Sequence, residues 1–175
     1  GELSNQVKNF SKEFGVLPKE VVPSLYQALS AGVPQDNVFE FLEVAQKAAK
    51  GGVTDLQTAV DGISSVVNSY GEDVISAAEA SDLMFTAVKL GKTDFTQLSA
   101  SLFNVAPIAA SMGIEFGEVT AALANLTAKG VPTSVAATQL KGAFAELGKE
   151  GTKASDMFKE LSGQSMQEFL AEGHG

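Results

Sequence analysis

The chain has 175 residues and a formal net charge of −9 at pH 7, and every one of its 12 basic residues is lysine. We expect no nucleic-acid binding, because contacts to phosphates and bases depend on arginine and clustered lysine. The chain has no cysteine, which excludes disulfides and thiolate metal sites. No basic region followed by an apolar stretch opens the sequence, and no apolar run approaches the roughly 20 residues of a membrane span. We therefore expect neither a signal peptide nor a membrane segment.

A recurring glycine marks the predicted helix ends. It falls at residues 15, 32, 52, 71, 91, 113 and 130. Glycine just past a helix end readily adopts the left-handed conformation that closes the last turn. Pro, Thr or Asp follows most of these glycines and is typical of the start of the next helix. Gly52, Gly91 and Gly130 are 39 residues apart, which predicts a repeating helix pair.

Apolar residues recur every three to four positions along most of the chain, as in amphipathic helices. In chain order, the predicted helices cover about residues 3–14, 21–29, 38–49, 56–70, 73–90, 95–109, 116–126 and 136–147, with one or two short stripes within 157–170. No convincing alternation with a period of two residues is present. The sequence therefore predicts an all-α array or bundle of about eight or nine short helices joined by Gly/Pro turns.

Three of these helices carry more specific expectations. In the fourth, Leu56, Val60, Ile63 and Val67 should be buried as one face, and Thr54 with Gln57 has the spacing of a capping box at its start. The fifth has apolar residues spread beyond one stripe, so we expect it to lie centrally in the bundle. Pro107 should kink or end the sixth, because proline lacks an N–H group and clashes with the preceding turn.

The predicted domain organisation is a single helical domain over residues 1–175, cut from a longer chain. A boundary is possible near residues 31–37, between an N-terminal helical part and the core that follows. A fully helical chain of this length would span roughly 260 Å at 1.5 Å per residue. The repeated Gly and Pro breaks predict that the segment folds back on itself as a compact module.

The triplet Gly91-Lys92-Thr93 has the form of the end of a phosphate-binding loop. The full motif needs a glycine at position 86 and a strand before it, because backbone N–H groups must surround the phosphate. Thr86 occupies that position, inside a predicted helix. A helix end followed by a helix start explains the triplet better, and we predict no cofactor-binding residues.

Few residues are candidates for catalysis. Glu115 and Glu118 could act as an acid–base pair, but acidic residues also stabilise the first turn of a helix, and we prefer that second interpretation. The single histidine, His174, lies at the end of the sequence and cannot complete a catalytic triad or a metal site on its own. We predict no catalytic residues, no metal site and no enzymatic activity.

The least charged part of the chain is residues 95–128, where only Glu115 and Glu118 are charged. The stretch is rich in alanine, serine and small apolar residues, which let helices approach each other closely. It could form an interior helix pair, or an interface with another copy or a partner. Both alternatives stay open at this point.

The most specific pattern consists of five segments in a fixed order. They are residues 50–61 (KGGVTDLQTAVD), 66–71 (VVNSYG), 80–93 (ASDLMFTAVKLGKT), 105–113 (VAPIAASMG) and 119–130 (VTAALANLTAKG). Together they resemble the shared N-terminal core region of phage tail tape measure proteins. The resemblance covers about residues 38–170, and residues 1–37 are less distinctive.

The resemblance implies a structural segment of a phage or prophage tail protein whose whole chain sets tail length. Such a protein would occupy the tail tube within the virion tail, after assembly in the bacterial host cytoplasm. The implied partners are tail tube subunits, a tail assembly chaperone and tail tip or baseplate proteins, and a homo-oligomer is possible. This region of the family has no catalytic residues to transfer to the present chain.

Two other functions compete with this one. The first is an unrelated α-helical repeat scaffold that binds a partner protein, which rests on the 39-residue period alone. The second is an enzyme, which would need a mechanism based on Asp and Glu, without cysteine or a usable histidine.

Overall fold

Residues 1–149 and residue 168 are described by the structure, a computed structural model. Within residues 1–149 the chain forms eight α-helices and no strand. They are α1 (Glu2–Phe14), α2 (Pro18–Ser30), α3 (Val38–Gly51), α4 (Leu56–Tyr70), α5 (Ala77–Leu90), α6 (Phe95–Ser111), α7 (Phe116–Ala128) and α8 (Thr133–Gly148). The all-α prediction is confirmed. The stripes expected within residues 157–170 lie outside the described residues.

The eight helices form two layers, each made of alternate helices of the chain. Helices α2, α4, α6 and α8 pack side by side in one layer, and α1, α3, α5 and α7 pack in the other. The most extensive helix contact joins α4 to α6, followed by the contact of α6 with α8. Each helix therefore touches mainly its neighbours along the stack, as in α-helical repeat proteins.

The 39-residue repeat predicted from the glycines is present in the helix boundaries. Helices α3, α5 and α7 begin at residues 38, 77 and 116, and α4 and α6 begin at residues 56 and 95. Asp55 and Asp94, the residues before α4 and α6, accept hydrogen bonds from the backbone N–H groups of Thr58 and Gln97, both at 2.8 Å. The same capping device thus recurs one helix pair later.

One hydrophobic core runs through the stack and is densest between the two central helices, α4 and α6. Each contributes eight buried residues. Leu56, Val60, Ile63 and Val67 are all buried, so the predicted face of α4 is confirmed. Helix α5 contributes only four buried residues, and the expectation that it lies at the centre is wrong. The apolar stretch predicted for it, residues 73–90, includes Val74 and Leu90, which are exposed.

Several helix ends differ from the sequence-based expectation. Helix α5 begins at Ala77 rather than near Asp73, because the Ser76 hydroxyl caps it by accepting the Glu79 N–H at 3.1 Å. Helix α4 is capped by Asp55, not by Thr54. Helix α6 continues past Pro107 to Ser111, so the proline does not end it. Packing against α4 on one side and α8 on the other holds that helix together.

Gly52 and Gly91 are not left-handed, although the sequence pattern predicted that they are. Their φ angles are −88° and −101°. A Cβ atom on Gly52 would lie 2.6 Å from the Cβ of Phe95, and one on Gly91 would lie 2.8 Å from the Cα of Ala124. These two glycines are required by close helix packing. At the turn between α3 and α4 the left-handed residue is instead Val53, with a φ of 53°.

Candidate functional site

The Gly91-Lys92-Thr93 triplet is a helix–helix turn whose polar groups bond within the protein. Helix α5 continues through Thr86 to Leu90, and the Gly91 N–H donates to the carbonyl of Ala87 at 2.8 Å. The Lys92 N–H donates to Thr127 Oγ1 at 3.2 Å, and the hydroxyls of Thr93 and Thr133 are 2.6 Å apart. These contacts join the α5–α6 turn to the start of α8 and the end of α7. The first two N–H groups of the triplet are therefore engaged within the protein.

The two candidate acidic residues, Glu115 and Glu118, cap the start of α7. The Glu115 N–H donates to the Glu118 carboxylate at 3.1 Å, and the Glu118 N–H donates to the Glu115 carbonyl at 3.0 Å. Both side chains are exposed. This arrangement is the helix-start role preferred from the sequence, with the carboxylate of the third helical residue reaching back to the residue before the helix.

Among the described residues, no group of three or more His, Asp or Glu side chains is arranged to hold a metal ion. His174, the only histidine of the chain, lies outside the described residues. None of the described helices is long and apolar enough to cross a membrane.

The two ends of the helices give the stack two edges with different charges. One, which we name the acidic edge, is formed by the turns and helix starts in residues 31–40, 71–82 and 112–118. These segments contain no lysine and eight acidic residues, namely Asp36, Glu40, Glu72, Asp73, Glu79, Asp82, Glu115 and Glu118. Side-chain contacts hold the turns side by side: the Asn68 amide bonds to the Ala31 carbonyl, and the Tyr70 hydroxyl to the Ile114 carbonyl.

A groove of about 760 Å³ opens on the acidic edge, between the α4–α5 turn and the α6–α7 turn. Its apolar lining comes from Tyr70, Val74, Ile75, Leu83, Ile114 and Phe116. Its carboxylates are those of Glu79, Asp82 and Glu115. Val74 is 70% exposed, whereas the neighbouring Ile75 is buried. An apolar groove with charge of one sign around it is suited to a complementary side chain of a partner.

Tyr70 fixes the shape of this groove. Its hydroxyl donates to the Ile114 carbonyl at 2.7 Å, and its ring meets the ring of Phe116 edge to face with centroids 6.0 Å apart. Burial raises the pKa of Tyr70 far above its usual value, and the negative charges of Glu118 and Glu115 raise it further. The phenol therefore stays protonated and serves as a donor that ties α4 to the α6–α7 turn.

The opposite edge, which we name the basic edge, is formed by residues 12–20, 48–55, 89–94 and 129–133. These segments contain six lysines, namely Lys12, Lys19, Lys50, Lys89, Lys92 and Lys129, and four acidic residues. The acidic residues are Glu13, Glu20, Asp55 and Asp94. Glu20 accepts a hydrogen bond from the N–H of Leu17, just before α2, and Asp55 and Asp94 accept from N–H groups in the first turns of α4 and α6. Val53 and Leu90 project from this edge, 91% and 65% exposed.

The weakly charged stretch of residues 95–128 is largely interior. Helix α6 lies between α4 and α8, and eight of its residues are buried. The exposed remainder includes Phe103, which is 62% exposed, and Ala121, Asn125 and Ala128 on α7. Ala122 is half-buried. The interior alternative therefore accounts for most of the stretch, and an interface at its exposed remainder stays a hypothesis.

Sequence reasoning missed the groove and the separation of charge between the edges. Both arise because alternate turns, far apart in the sequence, meet at the same end of the stack. The signal was present in the helices of one layer: α3 and α5 each have a glutamate in the first turn and a lysine in the last turn. Because these two helices run in the same direction, their glutamates lie at one end of the layer and their lysines at the other. That direction cannot be read from the sequence.

The sequence profile of the family described as phage-related minor tail protein matches residues 4–174. The match begins well before residue 38, where the recognised resemblance started. A probable tape measure protein of Clostridium phage phiCD119 is 35% identical over 181 aligned positions, covering 98% of this chain and 19% of that protein. The tape measure protein of Pneumococcus phage Dp-1 is 22% identical, covering 88% of this chain and 13% of that protein. The chain thus spans less than a fifth of the length of these relatives. No solved structure matches it.

Proposed function

Because this chain belongs to the phage-related minor tail protein family and is a structural segment of a phage tail, we propose that it is a compact module within a tape measure protein. The protein as a whole would set the length of the tail. The observation that carries this proposal is the 35% identity to a probable tape measure protein over 98% of the chain.

The fold supports a compact module rather than an extended segment whose length would set the length of the tail. Laid end to end as one helix, the 149 residues at the start of the chain would span about 220 Å at 1.5 Å per residue. The longest helix within them, α6, has 17 residues, or about 25 Å. Because the helices double back in two layers, the module adds little length for its residue count. The measuring length would then come from other parts of the protein.

An in-frame deletion in the phage or prophage that carries the gene tests this proposal. Removing residues 2–148 should change the tail length seen by electron microscopy by no more than about one helix length, roughly 25 Å. The control is a deletion of equal size elsewhere in the same gene, in a region expected to be a continuous helix. That control should shorten the tail by about 220 Å. An equal shortening in both mutants would contradict the compact-module proposal.

The proposed partners and location also rest on membership of the tail protein family. We propose that the protein resides in the virion tail, having been assembled in the host cytoplasm with a tail assembly chaperone, tail tube subunits and tail tip or baseplate proteins. Mass spectrometry of purified virions should find peptides of this segment. Cross-linking of those virions should join it to one of these tail proteins, and cross-links to capsid proteins alone would count against it.

We also propose that the segment is neither an enzyme nor a nucleic-acid-binding module. The acidic edge repels phosphate, and the lysines of the basic edge are interspersed with carboxylates. A gel shift at low salt should show no complex with DNA, and a suspension of peptidoglycan should keep its turbidity. A clear positive result in either assay would overturn the corresponding statement.

A further inference from the structure

The two edges of the module differ in charge and in apolar surface. The acidic edge has eight carboxylates, no lysine and an apolar groove, whereas the basic edge has six lysines and two exposed aliphatic side chains, Val53 and Leu90. Because the edges lie at opposite ends of the helices, one molecule cannot bring them together. We propose that two copies of this chain associate head to tail, with Val53 and Leu90 of one copy entering the acidic-edge groove of the other. The proposal does not depend on the tail function.

The conformation of Val53 favours a contact role. Its φ of 53° is in the left-handed region, which is costly for a β-branched residue, and its side chain is 91% exposed. The neighbouring Gly52, which has a φ of −88°, does not take that conformation. The turn therefore holds an aliphatic side chain out in water at a conformational cost. Backbone strain of this kind persists where the surrounding structure imposes it, and it is often found at binding sites.

The groove offers matching chemistry. Its floor of aliphatic and aromatic side chains would cover Val53 and Leu90, and Glu79 and Asp82 lie where Lys50 and Lys89 of the incoming copy would approach. Opposite potentials across an interface speed association and set its orientation. The contact is heterologous, since different surfaces of the two copies meet. Each added copy then leaves one edge of each kind open, so that association continues into chains or closes into a ring.

Sedimentation of the 175-residue chain tests the association directly. The average mass should rise with protein concentration at about 0.01 M NaCl and fall back toward the monomer at about 1 M, where the Debye length has dropped from roughly 30 Å to 3 Å. A chain that stays monomeric at every concentration in low salt overturns the proposal. Association that strengthens with salt also overturns it, because charge complementarity would then not hold the copies together.

Two double variants separate a head-to-tail contact from any other oligomer. Val53→Asn with Leu90→Gln removes the aliphatic contact of the basic edge, and asparagine tolerates the left-handed conformation. Val74→Lys with Asp82→Lys blocks the groove at two exposed positions. Each variant alone should associate at least tenfold more weakly than the original chain. Mixed together they should form a 1:1 dimer and nothing larger, because each keeps the edge that the other has lost.

The mixture also guards against a folding artefact. A misfolded variant could not supply its intact edge, so dimer formation in the mixture confirms both folds and the head-to-tail geometry together. Circular dichroism of each variant checks that helicity is retained. Gln139→Lys, at an exposed position in the middle of α8, is the control and should associate as the original chain does. If the two well-folded variants fail to pair with each other, the proposal is wrong.

Discussion

At the scale of single residues, the glycines of this chain have two different structural roles. Five of them, including Gly15 and Gly113, close helix ends with positive φ angles. Gly52, Gly62 and Gly91 instead lie where another helix approaches too closely for any side chain. The sequence shows the first kind through spacing and the residues that follow. The second kind depends on which helices touch, so it could not be predicted from a single sequence.

Gly62→Ala should destabilise the fold strongly. A Cβ at this buried position of α4 would lie 2.4 Å from Ser99 Oγ and 2.8 Å from Ser99 Cα, so α4 and α6 would have to move apart. Overpacking of this kind typically costs about 1–3 kcal/mol. Urea denaturation of the purified chain measures the change in the free energy of unfolding.

Gly142→Ala is the matched control for that substitution. Gly142 also lies inside a helix, α8, but nothing lies within 4 Å of the position that its Cβ would take. Alanine should therefore stabilise the chain by about 0.5–1 kcal/mol, because it restricts the unfolded chain and favours the helix. Equal changes for both substitutions would show that α4 and α6 are not in close contact.

At the scale of the helices, the apolar period predicted which faces are buried, and the capping residues fixed where the helices begin. Leu56, Val60, Ile63 and Val67 are buried together as their spacing indicated. The starts were less certain, because Thr54 and Asp55 are both plausible caps in sequence. The depth of burial was also not predictable: α5 has apolar residues spread beyond one stripe but contributes only four buried residues, while α4 and α6 contribute eight each.

Ile63→Ala should be among the most damaging substitutions in α4. Ile63 is completely buried, and its helix, α4, packs between α2 and α6. Loss of its side-chain atoms together with the resulting cavity typically costs about 2–5 kcal/mol. Asp61→Ala, at an exposed position where the carboxylate accepts only a hydrogen bond from Gln27, should change stability by about 0.5 kcal/mol or less. Thermal melts of the two variants should differ clearly, and similar melts would mean that α4 faces the core differently.

The cap of α6 should make stability depend on pH. Hydrogen bonds from the side chain and backbone N–H of Gln97 hold the pKa of Asp94 below its usual value. A carboxyl with a lowered folded-state pKa stabilises the fold above its unfolded pKa, near 3.9, and loses that contribution as the pH falls through the folded value. Asp94→Ala should therefore cost about 1 kcal/mol at pH 7.

The difference between the original chain and Asp94→Ala should shrink as the pH falls below about 4. Denaturation measured at several pH values from neutral to acidic gives that difference directly. Asp73→Ala, in the exposed turn before α5, is the control and should show no comparable trend. A cost for Asp94→Ala that stays constant down to the most acidic pH would assign the effect to helix propensity rather than to the charged cap.

At the scale of the whole molecule, the 39-residue repeat links sequence and architecture. It predicted helix pairs before their arrangement was known, and α3, α5 and α7 begin 39 residues apart. The sequence could not reveal the two layers or the charged edges, since both depend on the direction in which neighbouring pairs stack. The proposed boundary near residues 31–37 stays a prediction.

Removing one whole repeat should leave a folded, shorter stack. Deletion of residues 56–94 joins Asp55, the cap of α4, directly to Phe95, the first residue of α6, so the new helix begins after a capping aspartate as before. Because each helix packs mainly on its neighbours, α3 and α7 can meet across the gap and α2 can meet α6. Circular dichroism should show nearly the same helical signal per residue and a cooperative melt at a lower temperature. Deletion of residues 56–75, which removes one helix and one turn, reverses the direction of every later helix and should abolish the cooperative melt. If the two deletions behave alike, the helix pair is not the unit from which this fold is built.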